Sequence, residues 1–455
     1  MKRYLCDGLQ SYLQLHDKPG YIGHMPGHKR KCETKKADIA QVLTSLWQMD
    51  VTEVPGTDDL YAPQGFIRDS MDQLRGIYHT AASDYLVGGA TVGILSAVCA
   101  CTKPKDHILV ARNCHKCVHH AIHVRSLEPV FLEVAQSEQY GIYGAVSADM
   151  VEASLAQDEK ITAVVITSPT YEGVVSDVAA LSKVAKRYGV RLIVDEAHGA
   201  HLPFYMPAFS AVTQGADVVV QSTHKTLCAM TQTALLHVNT KELVSEIEMW
   251  LSIFMTSSPS YVLLASIEDA VARACEMNWD KYKRNLQEFR LACQSLKKVR
   301  LVGQEELSKE FAFAYDETRL VFLSQIPGVL LAQALEQEGN VICEMAGEGY
   351  VVLISTMSDS KKDFDYLYAV LQSVDEGLGQ LQMAGVDAES QTMVDKLSME
   401  IGQISRQAVY VYPPGSYVIA SGEKITPEHV HRLQGYVTAG LRLRQDVYSE
   451  HHRQA

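Results

Sequence analysis

The sequence predicts an α/β protein whose large domain is built on a mostly parallel sheet with helices on both faces. Three observations carry that prediction. Short apolar runs recur between residues 84 and 221, separated by amphipathic stretches of helical period. Most of the runs are apolar throughout rather than alternating, as strands covered on both faces must be. Polar residues gather where the runs end, at 88–91, 113–115, 168–171, 195–198 and 222–225. In parallel sheets ligands collect at those carboxyl ends.

In chain order, residues 66–79 carry a helical pattern. Asp84-Tyr85-Leu86-Val87 reads as a short strand, followed by the turn Gly88-Gly89-Ala90-Thr91-Val92-Gly93 and a helix over 94–101. Strands are predicted at 107–111, 129–134, 161–167, 191–195 and 218–221, and helices at 115–124, 147–155 and 178–188. Ser147 is a candidate N-cap. Past 234–238 the chain turns helical over 241–254 and 262–296, with a turn at Thr256-Ser257-Ser258-Pro259. A second α/β lobe has strands at 319–323 and 351–354 and helices at 329–337 and 361–371. Residues 377–391 are a polar linker. The last segment holds a helix at 393–401, the turn Tyr412-Pro413-Pro414-Gly415, a strand at 417–420 and a helix at 427–439. The division expected is an N-terminal arm (1–65), a large domain (66–275), a small α/β domain (276–376) and a C-terminal subdomain (392–455).

Composition narrows the function. The 455 residues are 47% hydrophobic and 21% charged, with a formal net charge of −13. That acidity argues against a general nucleic-acid binder. No apolar run approaches the ~18 residues of a membrane span, and no apolar stretch of a secretory signal follows Met1-Lys2-Arg3. The ten cysteines lie mostly in apolar or helical contexts, which suits thiols in a reducing cytoplasm. Cys114 and Cys117, with His119, His120 and His123 beside them, read either as half a metal site or as buried thiols. No second pair follows in register, so no metal is expected. The Pro-Gly clusters around residues 24–30 and 50–60 mark loops. They are either solvated turns or an arm that packs on a subunit interface or lines an entrance.

The chemistry centres on Val220-Gln221-Ser222-Thr223-His224-Lys225. Lys225 closes a buried strand. It is either a solvent-facing terminus or an amine whose pKa is lowered by desolvation and which attacks a carbonyl to form a Schiff base. Ser222, Thr223 and His224 could donate to a phosphate beside it. Asp195 ends the apolar strand of residues 191–195. It is a carboxylate satisfied by backbone donors, a magnesium ligand, or the partner of a pyridinium nitrogen. The turn at 88–93 is neither a dinucleotide fingerprint nor a Walker loop, and it serves structure or anion binding equally well. A Schiff-base lysine, a pyridinium-pairing aspartate and a phosphate-binding turn are what pyridoxal 5′-phosphate requires. His115 or His198 could stack on or bond to its ring, or be ordinary hydrogen-bonding residues.

The chain resembles the Orn/Lys/Arg decarboxylase family of fold-type I pyridoxal-phosphate enzymes, in its compact form without an N-terminal wing. The marks, in order, are His24-Met25-Pro26-Gly27-His28-Lys29; Asp50-Val51-Thr52-Glu53 with Asp58-Asp59-Leu60; Arg112-Asn113-Cys114-His115-Lys116; and Thr167-Ser168-Pro169-Thr170-Tyr171. Val194-Asp195-Glu196-Ala197-His198-Gly199-Ala200-His201, Ser222-Thr223-His224-Lys225-Thr226, and Tyr412-Pro413-Pro414-Gly415 with Gly422-Glu423 complete them. The resemblance implies that Lys225 forms the Schiff base, Asp195 pairs with the pyridinium, His115 stacks on the ring and His198 lies beside the cofactor. Gly89, Ala90, Thr91, Ser222 and His224 would hold the phosphate. It further implies decarboxylation of arginine, lysine or ornithine, and a homodimer or larger assembly with active sites at the subunit interface. The chain departs from the family at Gly88–Ala90, at Cys117 in place of serine, at Ser416-Tyr417 and at Ser421. Glu53, Asp58, Asp59 and Glu423 are candidates for a cationic side chain, or ordinary solvated acids. The competing expectations are another reaction of the same cofactor, such as amino transfer or Cα–Cβ bond cleavage, and a cofactor-binding scaffold or regulatory subunit without activity.

Overall fold

The computed structural model describes residues 20–29, 42, 45–137, 141–307, 311–378, 387–412 and 415–446. Residues 1–7, Arg30, Pro413, Pro414 and the 379–386 part of the linker lie outside the described residues.

Seven strands form the main sheet: β1 (Ala82–Leu86), β2 (His107–Ala111), β3 (Glu128–Leu132), β4 (Ile161–Thr167), β5 (Arg191–Asp195), β6 (Val218–Gln221) and β7 (Ala234–Val238). Their order is β1-β7-β6-β5-β4-β2-β3. From β3 to β6 every pairing is parallel, and β7 runs antiparallel to both its neighbours. Every residue of β1, β6 and β7 is buried, because helices cover both faces.

The helices of this lobe are α1 (Phe66–Tyr78), α2 (Gly89–Cys101), α3 (Lys116–Arg125), α4 (Ala148–Gln157), α5 (Val178–Tyr188), α6 (Val244–Phe254) and α7 (Tyr261–Glu276). Ser147 caps α4 by accepting the Met150 N–H, as its sequence position predicts. Two predicted boundaries are corrected. Helix α2 starts at Gly89 rather than at residue 94, so the glycine turn is itself the first helical turn, with Gly88 at the N-cap. Gly93 lets α2 lie against the sheet: a β-carbon there would stand 2.7 Å from Leu86 Cδ1 and 2.8 Å from Val220 Cγ1. The long helix predicted over 262–296 is two, α7 and α8 (Trp279–Cys293). Asn278 separates them by capping α8 through the Lys281 N–H.

The second lobe is an antiparallel sheet of β8 (Val299–Leu301), β9 (Arg319–Ser324), β10 (Met345–Ala346) and β11 (Tyr350–Ile354), ordered β8-β9-β11-β10. Helices α8, α9 (Gly328–Gly339) and α10 (Lys361–Gly377) pack on it, with Tyr282, Phe289, Phe322, Leu353 and Phe364 in its core. Residues Ile22–Gly23 add a short parallel pairing to Ile342–Cys343 at this lobe. The C-terminal unit pairs β12 (Ala408–Val411) antiparallel with β13 (Tyr417–Ile419) and β14 (Leu443–Asp446), beneath α11 (Ala388–Met399) and α12 (Pro427–Thr438). Strands β12 and β14 are not among the predicted elements. Both are only four residues long, and β14, Leu443-Arg444-Gln445-Asp446, is mostly polar.

Candidate active site

Strand β6 ends at Gln221, and Ser222 opens a single helical turn, Thr223–Thr226, that carries Lys225. The Lys225 Nζ lies 3.0 Å from His198 Nε2. Desolvation lowers the pKa of this amine, with Arg319 acting in the same direction, while the charges of Asp195 and Glu344 oppose the shift. Asp195, at the end of the adjacent strand, is buried, and one carboxylate oxygen accepts the Ala197 N–H at 3.1 Å. Desolvation raises its pKa and the Lys225 charge works against that. A buried carboxylate with one backbone donor gains from a cationic partner.

His198 is buried, with Nδ1 lacking a hydrogen-bond partner. The Tyr171 ring stands 4.5 Å from the His198 ring, centroid to centroid. The Tyr171 hydroxyl donates to Glu344, whose second oxygen accepts the Met25 N–H at 2.9 Å. Below, the fully buried Arg319 donates from Nη2 to the His198 carbonyl at 2.5 Å, while its Nε and Nη1 have no hydrogen-bond partner.

His115 is the N-cap of α3, where its Nδ1 accepts the Cys117 N–H at 3.3 Å. Desolvation, reinforced by Lys225, brings its pKa down to about 3, so the ring is neutral at pH 7. A neutral imidazole can lie against a cationic ring without repulsion. The 112–119 segment is gripped by the C-terminal unit. The Arg112 guanidinium meets Glu423 at 2.8 Å, Ser416 Oγ donates to the Asn113 carbonyl at 3.0 Å, and His119 stacks on Tyr417 at 4.4 Å.

Gly89, Ala90 and Thr91 form the first turn of α2, which has no acidic residue and no side-chain cap. Its N–H groups and helix dipole suit an anion. Gly89 has φ +74°, a region that disfavours a β-carbon. The segment 230–233 joins this turn to the lysine loop. Gln232 Nε2 donates to the Val87 carbonyl at 2.7 Å, Thr223 Oγ1 donates to Thr233 Oγ1 at 2.8 Å, and His224 Nδ1 lies 2.8 Å from the Thr233 carbonyl. Burial lowers the His224 pKa to about 4 although that carbonyl contact opposes the shift, and its Nε2 is left as the polar atom outside this contact. Ser222 is buried beside it.

The residues singled out from sequence therefore supply one amine, one buried carboxylate, three imidazoles, one buried hydroxyl and one helix N-terminus. That donor set fits pyridoxal 5′-phosphate: an aldehyde for Lys225, a ring nitrogen for Asp195, a flat face for His115 and a phosphate for the α2 terminus with Ser222 and His224. Sequence reasoning misses Glu344 and Arg319, which enter from the second lobe. No local pattern marks them, because they reach Lys225 only through the packing of two lobes. Of the proposed side-chain acids, Asp58 accepts N–H groups from Asp59, Gln64, Gly65, Ile67 and Arg68 around the start of α1, and Glu423 is spent on Arg112. Asp59 accepts the Tyr61 N–H, and Glu53 is exposed. Glu344 instead lines a cleft of about 290 Å³ between the second lobe and the C-terminal unit, with Tyr412, Arg442 and Glu336. Cys114 and Cys117 are buried free thiols, and no group of three or more metal-ligating side chains occurs among the described residues.

Residues 5–318 match the family described as Orn/Lys/Arg decarboxylase, major domain. Among curated relatives, the chain is 30% identical to the uncharacterized protein YaaO of Bacillus subtilis (strain 168), over 91% of each chain. It is 27% identical to the arginine decarboxylase of the same strain, over 94% of this chain and 95% of that one. Among solved structures, the Francisella novicida lysine decarboxylase LdcF superposes with a TM-score of 0.72 at 17% identity, covering 92% of this chain and 78% of that one. The serine palmitoyltransferase of Sphingomonas wittichii superposes with a TM-score of 0.59 at 14% identity, over 80% of this chain and 88% of that one. The fold is that of lysine decarboxylases and other fold-type I enzymes.

Proposed function

Because the chain belongs to the Orn/Lys/Arg decarboxylase family, we propose that it uses pyridoxal 5′-phosphate to convert arginine, lysine or ornithine to the amine and carbon dioxide. The observation that carries this is the pair of carboxylates acting on one lysine amine. Asp195 sits on the strand beside it and Glu344 reaches in from the other lobe. The first suits a protonated ring nitrogen and the second a substrate cation.

The cofactor, held through Lys225, supplies an electron sink for the pair left behind when carbon dioxide departs. Every other task falls to the chain. Asp195 keeps a ring nitrogen protonated, and it does so best where water is excluded. His115, held at its cap position, would offer its neutral imidazole to the face of the ring. The N–H groups at Gly89, Ala90 and Thr91, with Ser222 and His224, would hold the phosphate. His198, 3.0 Å from Nζ, accepts or returns the lysine proton as the amine leaves and re-enters. Glu344, held by Tyr171 and Met25, receives the distal cation of a substrate entering through the cleft beside it.

A second reading, amino transfer, rests on Arg319. Its two unpartnered guanidinium nitrogens could clamp a substrate carboxylate and so retain it. Incubating the holoenzyme with arginine, lysine and ornithine separately, and identifying products by mass, decides between them. Agmatine, cadaverine or putrescine with carbon dioxide is the expected result, with arginine tried first because the full-length relative bears that name. Formation of a keto acid without carbon dioxide overturns decarboxylation.

We further propose a cytoplasmic homodimer. No helix among the described residues is long and apolar enough to cross a membrane, and their cysteines are free thiols. Trp47, Phe66 and Ile253 are 68%, 53% and 58% exposed, large apolar side chains that a second copy could cover.

A further inference from the structure

We propose that residues 24–29 are a strut that holds Glu344 and the Lys225 loop at a fixed separation, with Gly27 and Thr356 as its positioning residues. The inference rests on the proposed reading of Lys225 and Glu344 and adds what sets their geometry.

Three bonds define the strut. At one end the Met25 N–H donates to Glu344 Oε2 at 2.9 Å. Two residues later the Gly27 N–H donates to the carbonyl of His224, the residue before Lys225, at 2.8 Å. The Gly27 carbonyl accepts from Thr356 Oγ1 at 2.7 Å. The far end is fixed by Lys29, which is buried, lies 3.5 Å from Asp359 and donates to the carbonyls of Ile22 and Ile354. Thr356, Asp359 and Ile354 all belong to the second lobe or its edge, whereas His224 belongs to the main sheet. One short segment is therefore bonded to the carboxylate from one lobe and to the backbone of the lysine loop from the other.

The fit at Gly27 is closed. A β-carbon there would overlap the Leu227 carbonyl oxygen and stand 3.2 Å from the Lys225 carbonyl oxygen. Both are backbone atoms of the lysine loop, so neither can swing aside as a side chain would. Adding one methyl group must push the loop away from the strut. Reacting groups tolerate little displacement: a shift near 1 Å can cost on the order of 100-fold in rate.

The test compares Gly27→Ala, Thr356→Val and Thr356→Ser with the wild-type holoenzyme. Thr356→Val removes the donor to the Gly27 carbonyl with little change of volume. We expect kcat/KM to fall about 100-fold in G27A and about 10-fold in T356V, and T356S to recover most of the loss. Amide hydrogen exchange on the cofactor-free chain supplies a readout independent of turnover. Peptides covering 222–228 should exchange faster in G27A and T356V, while those covering 161–167 keep the wild-type rate. Wild-type kcat/KM together with wild-type exchange at 222–228 in both variants overturns the strut, as does faster exchange throughout the sheet, which marks general destabilisation. If the wild-type enzyme yields no amine from any basic amino acid, the functional reading fails. The exchange pattern then still decides the strut.

Discussion

At Lys225 burial and charge pull in opposite directions. Desolvation favours the neutral amine, and Asp195 and Glu344 favour the ammonium. The neutral amine that burial favours is the form that would react with the aldehyde of the proposed cofactor. Lys225→Ala should lower decarboxylation by on the order of 10⁴-fold and abolish the visible absorbance of lysine-bound cofactor, which spectrophotometry after adding the aldehyde checks. Asp195→Asn should keep that absorbance and lose roughly 100- to 1000-fold in kcat, because an amide does not hold a ring nitrogen in its cationic form. Glu344→Gln should raise KM for the basic substrate about 10-fold or more with a smaller change in kcat. A steady-state comparison against a substrate lacking the distal charge checks that split, since the neutral substrate should not distinguish the variants.

Among the elements, α1 and α3 show how local chemistry positions distant groups. Asp58 gathers backbone N–H donors at the start of α1. Burial works against its ionisation, but those donors outweigh it and bring the carboxyl down to about 2. Asp58→Ala should cost about 1–2 kcal/mol, read from urea denaturation. The contribution is fully present above the ordinary carboxyl value of 3.8 and is lost as pH falls through about 2. The sequence offers Asp58 as a substrate contact because a string of acids looks the same in either role. Helix α3 is legible almost to the residue, and His115 comes with it. What no local pattern carries is the C-terminal grip on it. Lys116 donates to the Tyr410 hydroxyl and Arg112 to Glu423, groups far along the chain. The hydroxyls of Tyr410 and Tyr417 in turn donate to Asp446.

Across the whole molecule, buried ionisable groups set opposing pH limits. His237 bonds with Ser83 and Gln221 in the sheet, and desolvation lowers its pKa from 6.5 to about 3. The unfolded chain binds that proton more readily, so stability should decline as pH falls from 6.5 toward 3. Glu196 is also fully buried, and desolvation raises its pKa from 4.5 to about 8 despite donors from Ala211, Gln221 and Ser210. Here the folded chain holds the proton more tightly, so its contribution declines as pH rises from 4.5 through 8. Between pH 4.5 and 6.5 the two slopes cancel, so urea midpoints measured from pH 3 to pH 9 should show a plateau there and fall on either side, and Glu196→Gln should flatten the alkaline side. The proposed division into residues 1–65, 66–275, 276–376 and 392–455 predicts that limited proteolysis cuts first between α10 and α11, releasing the C-terminal subdomain. Light scattering on the intact protein should return twice the 50.4 kDa chain mass if the proposed homodimer forms.

The sequence by itself determined the alternation of strand and helix, the mostly parallel sheet, and the groups that end its strands. Apolar periodicity and strand-end polarity are local properties, and Asp195, His198 and Lys225 are close because neighbouring strands of one sheet end together. Only tertiary structure decided which carboxylate faces the amine and which acids are spent elsewhere. Glu344 and Arg319 reach the site by lobe packing, and Glu423 is paired with Arg112, more than 300 residues earlier in the chain. A carboxylate's role depends on the cation or N–H it meets, and sequence proximity does not record that meeting when the partners lie far apart in the chain.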